Sequence, residues 1–182
     1  MTSDALGDHL NKIFENVNGW LKFAEAKNGA LIVLNGAIIF GIARIHAIYK
    51  PLPGWLTWYF IIASMLLIFA LLICLVSYIA RIKSPQSISK RPSDANVPNI
   101  YFFGDLAKMT GDNILTHLKD KLALTDTPNL AQRDLAMQIS INSRITSQKF
   151  AYFNTAVWLT IFALITPLLG FLLFWRMKNE TV

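Results

Sequence analysis

The sequence predicts an all-α integral membrane protein with three transmembrane helices and a cytoplasmic helical bundle. Three observations predict this fold class. Hydrophobic residues make up 54% of the chain, more than a soluble domain can bury, and they are concentrated in long runs. Residues 28–48, 55–80 and 151–175 supply runs of about 21 to 26 residues, each able to cross roughly 30 Å of hydrocarbon at about 1.5 Å per residue. Finally, Leu6, Leu10, Ile13, Val17, Trp20, Ala24, Asn28, Leu31, Asn35, Ile38 and Ile42 follow one another at steps of four and three. That spacing gathers them on one side of a helix, as in a coiled-coil seam.

The seam crosses from a charged stretch into the first apolar run without a Pro, so one helix is predicted to pass from water into lipid. Residues 1–27 form its cytoplasmic approach, with Asp4 and Asp8 near the positive end of the helix dipole. Asn28 and Asn35 fall at the boundary and inside the apolar part. Two readings of them stand: packing residues, or residues that set register and partner number by seeking a polar partner in lipid. Gly29, Gly36 and Gly41 read as close-packing positions of the first span. Residues 50–54, Lys-Pro-Leu-Pro-Gly, make a tight outer turn, so the first two spans form an antiparallel hairpin. Trp55, Trp58 and Tyr59 anchor the outer interface of the second span, and Cys74 in its middle reads as a small packing residue.

Residues 81–93 are basic, Ser/Pro-rich and without apolar periodicity, which predicts a loose cytoplasmic loop. The aromatic group Tyr101-Phe102-Phe103 then precedes a helix expected over roughly residues 105–123, with Leu106, Met109, Ile114, Leu118 and Leu122 on its apolar face. Thr125-Asp126-Thr127-Pro128 reads as a turn that starts the last helix, with Pro128 in its first position. That helix carries Gln138, Asn142, Ile145 and Lys149 as a stripe and continues into the third span, where Thr166-Pro167 marks a kink. Residues 176–182 form an outer tail.

The net charge of +6 is distributed asymmetrically. Lys22, Lys27, Arg81, Lys83, Lys90, Arg91, Arg144 and Lys149 flank one side of the spans; Arg44, Lys50, Arg176 and Lys178 flank the other. The positive-inside rule then places the amino terminus and residues 81–150 in the cytoplasm of a multi-pass inner-membrane protein. Anionic lipid accounts for this basic balance, and no nucleic-acid polymer is needed as a partner.

No catalytic pattern stands out. His9, His46 and His117 lie on different segments without carboxylates at ligand spacing, and no nucleophile–base set or phosphate-cradling Gly-rich loop is present. The expectation is a non-enzyme without metal or cofactor. Binding chemistry is better represented. Glu25, Lys27 and Asn28 sit at the inner mouth of the first span, and Gln138, Asn142, Ser143, Arg144 and Lys149 at that of the third, with Tyr101 and Phe102 as ring platforms. Amides read a base edge, rings stack on its face, and a cation neutralises a phosphate. The competing reading is a hydrogen-bonded layer between helices at the membrane surface.

Residues 23–31 (FAEAKNGAL) leading to Asn35-Gly36-Ala37, then Tyr101-Phe102-Phe103-Gly104-Asp105, then residues 138–145 (QISINSRI) with Lys149-Phe150, resemble the Pycsar transmembrane effector family. The resemblance extends over nearly the whole chain in the same hydropathy layout. It implies an antiphage effector, related to membrane effectors of cyclic-oligonucleotide (CBASS) systems, that senses a cyclic nucleotide made on infection and damages the inner membrane in abortive infection. In the pyrimidine version the signal is a cyclic mononucleotide such as cCMP or cUMP; the residues do not separate this from a cyclic di- or trinucleotide. The family's functional positions carry over to Glu25, Lys27, Asn28, Tyr101, Asp105, Gln138, Asn142, Ser143 and Lys149.

The expected function is therefore a homo-oligomeric membrane effector that answers a cyclic nucleotide through its cytoplasmic bundle. Its rivals are a structural or scaffold subunit without a ligand, and a small pore that opens without a signal.

Overall fold

A computed structural model describes residues 5–49, 51–79, 99–125 and 127–180, with residues 167–180 as backbone only. Among the described residues every regular element is a helix: α1 (Ala5–Ile48), α2 (Gly54–Val76), α3 (Phe103–Leu106), α4 (Gly111–Leu122) and α5 (Leu130–Glu180). The protein is all-α, and α1, α2 and α5 are long and apolar enough to cross a membrane. The loop expected over residues 81–93 lies outside the described residues, as do Asp4, Lys50 and Asp126. The chain divides into a polar unit, Met1–Glu25 with Ala80–Phe150, and an apolar unit, Ala26–Ile79 with Ala151–Val182. α1 and α5 contribute to both.

In the polar unit the seam of α1 buries Leu6, Leu10, Ile13 and Val17 against Ile100, Leu106, Met109, Ile114, Leu115, Leu118, Ala136 and Ile139. Burying each large aliphatic side chain contributes about 1.5–3 kcal/mol, so this core holds α3, α4 and the first half of α5 together. Trp20 departs from the expected seam. It is 38% exposed, and its indole lies beside Phe103 and Phe150 with centroids 5.6 and 6.3 Å away. The seam positions around it are small or aliphatic, and a ring of that size is accommodated at the flank.

The single helix expected over 105–123 is two helices. Thr110 caps α4 by accepting from the Asn113 N–H at 3.2 Å. The carbonyls that a continuous helix would use are taken by α5: Met109 O accepts from Ser140 Oγ at 2.7 Å and Arg144 Nη2 at 3.3 Å, and Ala107 O from Arg144 Nε at 2.9 Å. α5 also starts two residues later than Pro128. Asn129 and Gln132 exchange side-chain bonds with each other's backbone N–H, both at 2.9 Å, as in a capping box. At the other end α5 remains helical to Glu180, through most of the expected tail.

In the apolar unit α2 runs antiparallel to α5. Tyr59 donates to Ala163 O at 3.1 Å, while Cys74 near the far end of α2 packs with Ala156 and Leu31. Small residues make the close approach: Ala63, Ala70, Cys74, Ala156 and Ala163 are all buried. Of the three glycines expected to do this, only Gly29 meets a neighbour, the Tyr78 hydroxyl; Gly36 and Gly41 face open space. They sit beside the seam, and the seam positions Leu31 and Asn35 make the contacts.

Asn35 is fully buried, and the single proton of the Thr160 hydroxyl is shared between Asn35 Oδ1 at 3.0 Å and Ala156 O at 2.9 Å. Asn35 Nδ2 has no hydrogen-bond partner among the described residues. A half-satisfied amide in an apolar layer costs about 1–3 kcal/mol, whereas replacing both members of such a pair by apolar groups is near neutral or stabilising. Thr160→Val alone is therefore expected to lower the thermal midpoint in detergent, and Asn35→Leu with Thr160→Val to restore or raise it. A double variant less stable than Thr160→Val would refute this account.

Candidate functional site

Through the polar unit α1 and α5 run parallel, and polar residues recur between them at heptad spacing. Asn142 Nδ2 donates to Asn18 Oδ1 at 2.8 Å, and Gln138 Nε2 donates to Asn142 Oδ1 at 3.1 Å. Seven residues further along each helix, the Lys149 ammonium pairs with the Glu25 carboxylate at 3.2 Å. The Lys149 side chain is 11% exposed and that of Glu25 44%, so the lysine stem is packed while the carboxylate reaches water. Ser143, one residue from Asn142, is buried, and its hydroxyl has no hydrogen-bond partner among the described residues.

This track offers amide donors and acceptors, a carboxylate and a cation on two adjacent helices. The set suits a ligand with a heteroaromatic edge and an anionic group. It also joins α1 to α5.

The remaining candidates are distributed more widely. Tyr101 is exposed and bound to α1: its hydroxyl lies 3.0 Å from His9 Nδ1, and its carbonyl accepts from Asn16 Nδ2 at 2.8 Å. Asp105 shapes the same segment, accepting the Asn99 N–H at 3.0 Å, while Asn99 Oδ1 accepts the Tyr101 N–H at 3.0 Å. Phe102 packs on Phe103, centroids 4.9 Å apart. Lys27 and Asn28 belong to the apolar unit. There the Lys27 ammonium lies 5.3 Å from the Phe153 ring centroid and Asn28 is fully buried.

Four participants escaped the sequence reading. Asn18 was legible in principle, because it precedes Glu25 by seven residues just as Asn142 precedes Lys149. Asn16, His9 and Ser140 had no such signal, since their partners lie 85, 92 and 31 positions away. Arg144, read among the binding groups, instead holds the carbonyls between α3 and α4. Among the described residues no group of three or more His, Cys, Asp or Glu is placed to hold a metal ion.

A family model described as the Pycsar effector protein domain matches residues 9–176, a span that contains all of the candidate residues. No curated protein and no solved structure matches the chain.

Proposed function

The chain belongs to the Pycsar effector family, and from this premise of an antiphage membrane effector we propose that it binds a cyclic nucleotide in its polar unit and impairs the inner membrane in response. The carrying observation is the pair of bridges, Asn18–Asn142 and Glu25–Lys149, between two helices that each continue unbroken into an apolar stretch. Gln138 and Asn142 would read the base edge, Lys149 would hold the phosphate, and Glu25 would position its ammonium. The polar unit faces the cytoplasm, where the nucleotide is made, and the protein acts as a homo-oligomer without catalysis.

Binding transmits because it favours one α1–α5 pairing over another; a ligand with equal affinity for both would shift nothing. Both rods carry the altered pairing into the apolar unit, where subunits repack and the bilayer leaks. Calorimetric titration of the detergent-purified protein with cyclic mono-, di- and trinucleotides tests this reading. Saturable binding of one of them, weakened at least tenfold by Asn142→Ala, and nucleotide-triggered dye release from vesicles are the expected results. A folded protein that binds none of the panel would end the proposal.

A further inference from the structure

The two sides of the α1–α5 pair differ. At about 100° per residue, Trp20 lies roughly 200° around α1 from Asn18, so the aromatic side is turned away from the polar track. On it five rings form one contiguous patch within the polar unit. Phe103 stacks on Phe150 at 5.3 Å and 21°, and touches Trp20 at 5.6 Å and Phe102 at 4.9 Å. Phe23 closes the group, 5.9 Å from Trp20 and 6.4 Å from Phe150. Although the rings pack on each other, Trp20, Phe23 and Phe102 stay 38%, 47% and 45% exposed. Three half-exposed aromatics, Trp20 against Phe23 and Phe102 joined to them through Phe103, form a patch that a freely solvated unit does not need.

The place of the patch along the chain identifies what covers it. Phe150 immediately precedes the apolar run that begins at Ala151, and Phe23 precedes Asn28, the start of the first run, by five residues, about 8 Å of helix. The rings stacked on Phe150 therefore lie within one ring's reach of the depth where hydrocarbon begins. Lys27 follows Trp20 by seven residues on the same side of α1, placing a cation next in line for lipid phosphate.

We propose that Trp20, Phe23, Phe102, Phe103 and Phe150 form a membrane-docking collar. It seats the polar unit in the headgroup region of an anionic bilayer, with α3 as an interfacial segment. Amphipathic and aromatic rings favour that layer, where apolar faces leave water without entering hydrocarbon. The collar rests on the reading that α1, α2 and α5 span a membrane. Its consequence for the proposed response is mechanical: the polar unit is held at the lipid surface on one side and open to ligand on the other.

Spin labels on full-length protein, in phosphatidylglycerol-containing nanodiscs and a Cys74→Ala background, test this. Labels at Phe102→Cys and, independently, Phe23→Cys are compared with labels at Glu15→Cys on an exposed position of α1 and Met65→Cys on an exposed position of α2. The ratio of oxygen to water-soluble nickel accessibility at both collar sites is expected several-fold above that at Glu15 and several-fold below that at Met65. Collar labels as nickel-accessible as Glu15, whether or not a cyclic nucleotide then shields them, overturn the collar. Labels shielded from both reagents and dipolar-broadened place a second copy there and overturn it too. A nickel-accessible label at Met65 overturns the membrane reading, and the collar with it.

Discussion

Gly111→Val is expected to detach α4 from α5. A Cβ built at Gly111 would sit 2.9 Å from the Met137 backbone nitrogen, 3.0 Å from its Cα and 3.2 Å from the Ala136 carbonyl carbon. These are backbone atoms in the middle of a long helix, and no rotamer change removes them. In their absence Gly→Ala in a helix would gain about 0.5–1 kcal/mol from reduced unfolded-chain entropy. Overpacking against a fixed neighbour costs about 1–3 kcal/mol, so the clash wins already for Ala, and Val with its second branch goes further. Hydrogen exchange should show the α4 amides losing protection in both variants, with those of α2 unchanged. Gly111→Ala with wild-type protection over residues 111–122 would show that the approach of α4 to α5 is looser than described.

The second large effect is functional. Lys149→Met is expected to leave the fold intact and weaken the proposed nucleotide binding by about 10- to 100-fold, the equivalent of losing one charge-assisted bond of about 1.5–3 kcal/mol. Met retains the packed aliphatic stem, and the Glu25 side chain, 44% exposed, keeps its contact with water. Glu25→Gln reverses the asymmetry. It removes the carboxylate charge paired with a lysine whose side chain is only 11% exposed, and should therefore cost more stability than Lys149→Met. Thermal midpoints separate the two variants, and calorimetry reads the affinity. A Lys149→Met protein that binds the nucleotide as tightly as wild type would remove the lysine from the site.

Patterns that repeat within a helix were readable from the chain alone. Hydropathy over 20-odd residues picks out α1, α2 and α5 as membrane-crossing lengths, and the four–three spacing correctly lists Leu10, Ile13, Val17, Ala24, Asn28, Leu31 and Asn35 as buried. The Pycsar resemblance was legible in short motifs, and the family match over residues 9–176 bears it out. The candidate stripe on α5 is legible as spacing; of its partners on α1, Glu25 is marked by its place at the mouth of the first span, whereas Asn18 is marked only by standing seven residues before it.

Contacts between distant segments decided the rest. Periodicity assigns Trp20 to the seam, yet ring volume moves it to the flank beside Phe103 and Phe150. Propensity allows a helix straight through 107–110; Ser140 and Arg144, more than 30 positions away, take its carbonyls and break it. Gly111 carries no mark in the sequence that distinguishes it from Gly36, although one meets a backbone and the other open space. Local chemistry and spacing are properties of neighbouring residues, and the sequence by itself determines them. Which carbonyl is claimed, which ring is displaced and which glycine is indispensable depend on what arrives from elsewhere in the chain, and only the tertiary structure decides those.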